Sequence, residues 1–209
     1  MTRARRTRDG AAEAPTRRRT ASDQVSAALL QAAETVLDRD GTGGVTVRAV
    51  AREAQVAPMG VYNRFANKDG LLAALAIRAF DGLAAAIDVP TDLTPVERLR
   101  RACRGYRDHA LAHPARYSLI FSAGTPAAEP SSPVMVRGHE VFLVLVGMVG
   151  DVIGSATREP LEAGQAVWNA VHGAVTIELA GIGQTSSAAD SYEHMLDLIV
   201  DGLRSQSPA

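Results

Sequence analysis

Pro58, Met59, Gly60, Tyr62 and Asn63 fall within six consecutive positions, and their types suit reading a duplex. An asparagine amide can pair with an adenine edge. Proline and methionine can press on thymine methyls, and a glycine lets a backbone come close. Thr46, Arg48, Tyr62 and Lys68 offer hydroxyls and cations to phosphate oxygens, and Ala57 completes the outward set. Few of these residues are charged, so the pattern assigns affinity to phosphates and sequence preference to a few base edges. The plainer reading, with Tyr62 and Phe65 as core and Arg48 and Arg64 as solvated surface, stays open at this level. A second set lies further on: Cys103, Tyr106, His109, Tyr117, Phe121, Phe142, Met148, Trp168 and His172. Aromatic rings with a few polar tips on apolar helices are what a pocket for a small hydrophobic molecule requires. Trp168, His172 and Thr176 recur at i, i+4 and i+8, on one side of one helix. Taken singly, each of these residues reads first as core; taken together they point to a pocket within residues 94–180.

The elements that position the first set can be read directly. Thr46 stands where an N-cap is wanted, and Val47, Val50 and Ala51 follow on one helical face. Glu53-Ala54-Gln55-Val56 is a turn-length break. Ala57-Pro58 opens the next helix with proline at a permitted position, and Val61, Tyr62 and Phe65 continue it. Asn67 is a cap for a third helix. Two short helices joined by a tight turn form a helix-turn-helix, whose second helix enters the major groove. Within that segment, Thr46, Val50, Ala51, Ala54, Val56, Tyr62, Phe65, Lys68, Leu71 and Leu72 resemble the DNA-binding domain of the tetracycline-repressor family of bacterial transcription regulators. Gln55 stands where that family commonly has glycine. A positive φ there costs on the order of 1 kcal/mol. Further along, His113 to Phe121 (H-P-A-R-Y-S-L-I-F) and Trp168 to Gly173 (W-N-A-V-H-G) resemble a C-terminal subgroup of the family named after its tryptophan and His-Gly. The resemblance implies an operator-binding repressor and a homodimer. It also implies an effector pocket near Trp168, with Cys103, Tyr106, Tyr117, Phe121, Phe142 and His172 as candidate lining.

The rest of the chain supports an all-α fold of about nine helices, with no strand-like alternation. Residues 1–20 are polar, arginine-rich and aperiodic, and read as a disordered arm. It either tracks a minor groove or phosphates or stays a solvated tail. Residues 21–66 form the helix-turn-helix domain, its first helix running over about 23–39 with Val25, Leu29, Ala33, Val36 and Leu37 as the apolar stripe. Residues 67–209 form the ligand-binding and dimerisation domain. Its first helix, over about 68–88, connects head to body. Val89-Pro90-Thr91-Asp92 breaks the chain, and Thr94-Pro95-Val96-Glu97 is a capping box with proline at N1. Helices follow to about 112 and from Pro114. Then come a loop over 123–133 and helices over about 134–155, 159–180 (Thr157 as cap) and 187–204. The last two carry more apolar side chains than one layer can bury: Val167, Ala170, Val171, Ala174, Val175 and Ile177 on one, Met195, Leu196, Leu198, Ile199 and Leu203 on the other. Two such helices pair isologously into a homodimer, and a dimer suits a palindromic operator.

Charge is uneven. Residues 1–80 hold 13 basic and 8 acidic side chains, and residues 81–209 hold 9 and 15. The chain would therefore engage DNA with one end. The single cysteine, Cys103, forms no internal disulfide and suits a reducing cytoplasm. Residues 1–22 carry seven arginines and no apolar run, so a signal peptide lacks its h-region. The stretch Val141–Val149 is far too short to span a bilayer. Cys103 and His109 are not at side-by-side helical spacing, and no triad, metal-spaced cluster or phosphate loop stands out. The sequence thus predicts no catalytic residue, metal or cofactor, and no membrane partner. Two functions remain: a repressor released from double-stranded DNA by a small, mostly apolar effector, or a DNA-binding regulator without one, acting constitutively or through a protein partner. A cavity of several hundred cubic ångströms would favour the first.

Overall fold

The computed structural model describes residues 14–121, 131–154 and 160–205. Nine helices and no strand occur among them: α1 (Ala14–Gly44), α2 (Val47–Glu53), α3 (Pro58–Phe65), α4 (Lys68–Ile87), α5 (Pro95–Ala112), α6 (Pro114–Phe121), α7 (Pro133–Ile153), α8 (Pro160–Ala180) and α9 (Ala188–Arg204). Most boundaries follow from caps. The hydroxyl of Thr46 accepts from the Ala49 amide at 3.1 Å, and the Asn67 side chain accepts from Gly70 at 2.8 Å. Thr94 and Glu97 close a reciprocal capping box, and Ser132 and Ser187 cap α7 and α9. Each cap satisfies an amide that the first turn leaves unpaired.

Three boundaries differ from the sequence reading. Helix α1 starts at Ala14, inside the segment read as an arm, and runs on to Gly44 across a break at Gly41 (φ 69°). The glycine there takes the left-handed turn expected to end the helix, and helix resumes beyond it. Helix α7 ends at Ile153, because Gly154 takes positive φ. Val25 was placed in the apolar stripe of the first helix, yet it is exposed, because the stripe rotates away from the core toward the start of so long a helix. Residues 1–13, most of the loop before α7, and Thr157 with its proposed cap lie outside the described residues.

Two turns hold non-glycine residues at positive φ, Gln55 (56°) and Ala66 (60°). At Gln55 the reason is a Schellman closure of α2. The Val56 amide donates to Ala51 O at 2.9 Å and the Gln55 amide to Arg52 O at 3.2 Å, which satisfies two otherwise orphaned carbonyls. At Ala66 the chain reverses sharply between α3 and α4. A Cβ on Gly70 would collide with the carbonyl of Phe65, so that turn admits no side chain at 70.

Helix α4 is the spine. It packs on α1 and α3 at its start and on α5, α6 and α7 beyond. By length and composition α4, rather than Val141–Val149, comes nearest to a membrane span. Its apolar residues are used instead inside the protein: Leu71 and Leu75 complete the head core with Val36, Leu37, Val50 and Val61, and Phe80, Leu83 and Ile87 face the body. Each fully buried leucine contributes roughly 1.5–3 kcal/mol relative to exposure.

Candidate DNA-binding surface and effector cavity

The helix-turn-helix buries Val47, Val50, Ala51 and Val61 and turns the remaining side chains outward. All nine residues expected to meet DNA (Thr46, Arg48, Ala57, Pro58, Met59, Gly60, Tyr62, Asn63 and Lys68) are exposed. Met59 is 64% and Tyr62 47% accessible, so Tyr62 is not core, whereas Phe65 packs against the core from α3. Arg48 and Lys68 form no ion pair among the described residues. Arg39, by contrast, is held by Asp40 and Glu53, both at 2.9 Å. Arg48 and Lys68 thus flank the exposed residues Pro58, Met59, Gly60, Tyr62 and Asn63. A surface of that kind can meet phosphates at its edges and base edges at its centre.

The body holds a partly open cavity of about 730 Å³ bounded by α4, α5, α6, α7 and α8. Five of the seven residues expected to line a pocket do so: Cys103, Tyr106, Phe121, Phe142 and Trp168. Met148 joins them. Tyr117 and His172 do not line it. They stand behind the wall because both are turned into a buried hydrogen-bond cluster. Tyr117 Oη lies 2.6 Å from His172 Nδ1, and Tyr106 Oη lies 3.1 Å from the same nitrogen and donates to Tyr117 Oη at 3.3 Å. Burial lowers the pKa of His172 below its usual value, in keeping with a neutral ring. The His172 ring also meets Phe121 (4.8 Å between centroids) and Trp168 (5.7 Å), so the cluster still shapes the cavity wall from behind. His109 lies apart, beside His113.

Burial pushes the Cys103 thiol up to about 12, which leaves it protonated and unreactive. Burial also raises the Tyr106 phenol. The sequence reading missed the α4 wall (Phe80, Leu83, Ile87) and the polar rim formed by His139, Glu162 and Gln165. The α4 residues carry a helical apolar period, but nothing local says that the space before them stays empty.

Head and body meet at an ionic seam. Glu34 of α1 is only 5% exposed and accepts from Arg78 of α4 at 2.8 Å and Arg116 of α6 at 3.3 Å. Arg116 also pairs with Asp38 at 2.6 Å. A carboxylate this buried must be paired, since an unpaired one costs several kcal/mol. The short helix α6 thus holds the head through Arg116 and the cavity wall through Phe121.

Comparison with known proteins agrees with this geometry. Residues 29–75 match the family model of bacterial regulatory proteins of the tetR family, and residues 99–199 match that of the tetracyclin repressor-like C-terminal domain. The protein belongs to the TetR family. Its described residues have the all-helical fold of that family, which is one of DNA-binding transcription regulators. An HTH-type transcriptional regulator of Mycobacterium tuberculosis H37Rv is 29% identical over 117 residues, 53% of this chain and 49% of the relative. The chain thus spans about half the length of that curated relative. BioQ, solved with its natural double-stranded DNA operator, is 28% identical with a TM-score of 0.61, over 85% of this TetR-family chain and 96% of BioQ. A TetR variant from Acinetobacter baumannii AYE, solved in complex with minocycline, shares the fold at 22% identity and a TM-score of 0.61, over 86% and 97% of the two chains.

Proposed function

We propose that this TetR-family regulator is a repressor, released from a palindromic operator by a small, mostly apolar effector held in the body cavity. The observation that carries the reading is the cavity itself. About 730 Å³ is the size of a small-molecule site, and it stands against α4, the helix that also forms the head core. A regulator that acts constitutively or through a protein partner has no need of such a space. The W-N-A-V-H-G run from Trp168 supports placement in the Trp/His-Gly subgroup. Thr46, Arg48, Tyr62 and Lys68 are assigned to phosphates; Pro58, Met59 and Asn63 to base edges; Ala57 and Gly60 to close approach. Such a regulator works in the cytoplasm, where its operator lies.

The homodimer forms through α8 and α9. Val167, Val171, Val175, Leu196 and Leu203 are buried within the protomer, but Ile177 (46%) and Leu198 (62%) remain exposed. They are flanked by Gly173 and Gly202, where an added Cβ would meet nothing within 4 Å. An open, small-residue face beside exposed Ile and Leu suits a second copy of the same surface. Sedimentation at micromolar concentration should give a dimer; a monomer would refute this arrangement.

Effector and operator then compete through two head separations. The route is α4 together with α6, whose Arg116 grips Glu34 and Asp38 of the head. Coupling of this kind is reciprocal, typically about 1–3 kcal/mol. The test is a ligand titration followed by Trp168 fluorescence, with and without operator. Operator should weaken ligand binding by the factor by which ligand weakens operator binding. Equal ligand affinity in both would leave the cavity uncoupled.

A further inference from the structure

The cavity has a charge preference. Its ionisable lining residues are Cys103, Tyr106, His139 and Glu162, and no arginine or lysine lines it among the described residues. Six arginines of the surrounding helices are committed elsewhere: Arg98 to Asp151, Arg100 to Asp197, Arg104 to Glu193, Arg107 to Glu178, Arg116 to Asp38 and Arg137 to Asp81, at 2.6–2.8 Å. Arg101 of α5 is exposed and does not line the cavity. Cys103 and Tyr106 stay protonated at neutral pH. An anion entering this space would lose its hydration and meet no arginine or lysine among the described lining residues, only His139, an expensive exchange. A cation meets the opposite situation. Glu162 is exposed at the start of α8 and forms no ion pair among the described residues. Beyond it, the faces and edges of Phe142, Trp168, Phe121 and Phe80 line the interior, and aromatic faces attract cations. The surrounding body is acidic as well, with 15 acidic against 9 basic side chains in residues 81–209, which raises the local concentration of cations.

We infer that the effector is a lipophilic monocation, its apolar groups among the aromatic rings and its positive charge toward the rim and Glu162. This deepens the effector reading above and rests on it. A charge left at the rim keeps part of its hydration, so the full cost of burying an ion is avoided. Carboxylate-bearing effectors, such as fatty acids and acidic aromatics, are selected against by the same geometry.

The test uses three probes of similar shape and different charge on the full chain: tetraphenylphosphonium, tetraphenylborate and neutral triphenylphosphine oxide. Trp168, the single tryptophan, reports occupancy from inside the cavity. Tetraphenylphosphonium should bind at least about tenfold more tightly than tetraphenylborate. Glu162→Gln should shrink that ratio to within about threefold and leave the neutral probe unchanged. Ala102→Leu, which narrows the cavity from α5, should weaken all three. Equal or tighter binding of the borate, or a preference that survives in Glu162→Gln, would overturn the charge assignment and leave the effector reading standing. Binding of none of the three to the wild-type chain would overturn the effector reading itself.

Discussion

The head and the body of this protein are built from the same kind of helix and solve opposite problems. The head packs Val36, Leu37, Val50, Val61, Leu71 and Leu75 to nearly zero exposure and has no described cavity. What it offers lies outside: an uncharged helix face between Arg48 and Lys68. The body leaves about 730 Å³ unfilled, and what it offers lies inside, ringed by aromatic side chains. A rigid head is what a fixed operator spacing needs. A body with a void has room for a ligand, which is what the proposed effector control needs. The difference teaches that the two functions ask for opposite uses of apolar side chains.

The largest contrast should come from salt. Raising it from 50 to 200 mM should weaken operator binding by roughly a hundredfold or more, since phosphate contacts release counterions. Binding of triphenylphosphine oxide to the cavity should stay nearly constant. Fluorescence anisotropy for DNA and Trp168 emission for the probe measure both in one buffer series; equal salt slopes would erase the division. Next in size is tolerance of added volume. Val61→Phe overfills the head and should cost about 1–3 kcal/mol of stability. Ala102→Leu adds volume at the cavity wall and should cost less than about 1 kcal/mol while weakening probe binding. Chemical denaturation of the two variants compares them directly.

On the recognition helix, Asn63→Ala should relax preference at one base pair by about 1–3 kcal/mol, read by competition with single-base operator variants. Gly60→Ala separates fold from reading more finely. A Cβ there would meet only the Val56 side chain at 3.8 Å, so the fold has no need of glycine. The variant should be more stable by about 0.5–1 kcal/mol and yet bind operator more weakly. Stronger operator binding would mean that position 60 does not face the duplex.

The smallest effect is pH. All five histidines lie beyond residue 81, so none belongs to the head. Burial lowers His172, and burial together with His113 lowers His109. For a histidine whose folded pKa is lowered, the contribution is intact above the unfolded value near 6.5. It is lost as pH falls through that value, because the unfolded chain takes the proton first. Lowering pH from 7.5 to 6 should therefore lower the unfolding midpoint slightly, less than Val61→Phe does, and His172→Gln should blunt the change. A midpoint that rises on acidification would contradict the neutral ring.

The local architecture was legible from residue order. The caps at Thr46, Asn67 and Thr94 and the strained turn at Gln55 act within three to five residues, and each follows from short-range hydrogen bonding. The outward set on α3 was legible for the same reason: helical periodicity decides which residues face away once Val61 faces in. Residue type and the family resemblance, rather than periodicity, singled out the aromatic set of the body. The direction of Tyr117 and His172 was not legible, because it depends on a contact between α6 and α8, 55 positions apart in the chain.

The sequence by itself therefore determined the helices, most of their ends, the helix-turn-helix and the uneven charge, because these depend on neighbours a few residues away and on counting. Only the tertiary structure decided that Glu34 is a buried carboxylate shared by Arg78 and Arg116, and that the apolar residues of α8 divide between Val171 inside and Ile177 outside. It alone decided that the helices of the body leave a void rimmed by Glu162. Each of these is a balance of volumes and charges brought together from distant parts of the chain. No period or motif encodes whether five helices, once packed, will fill the space between them.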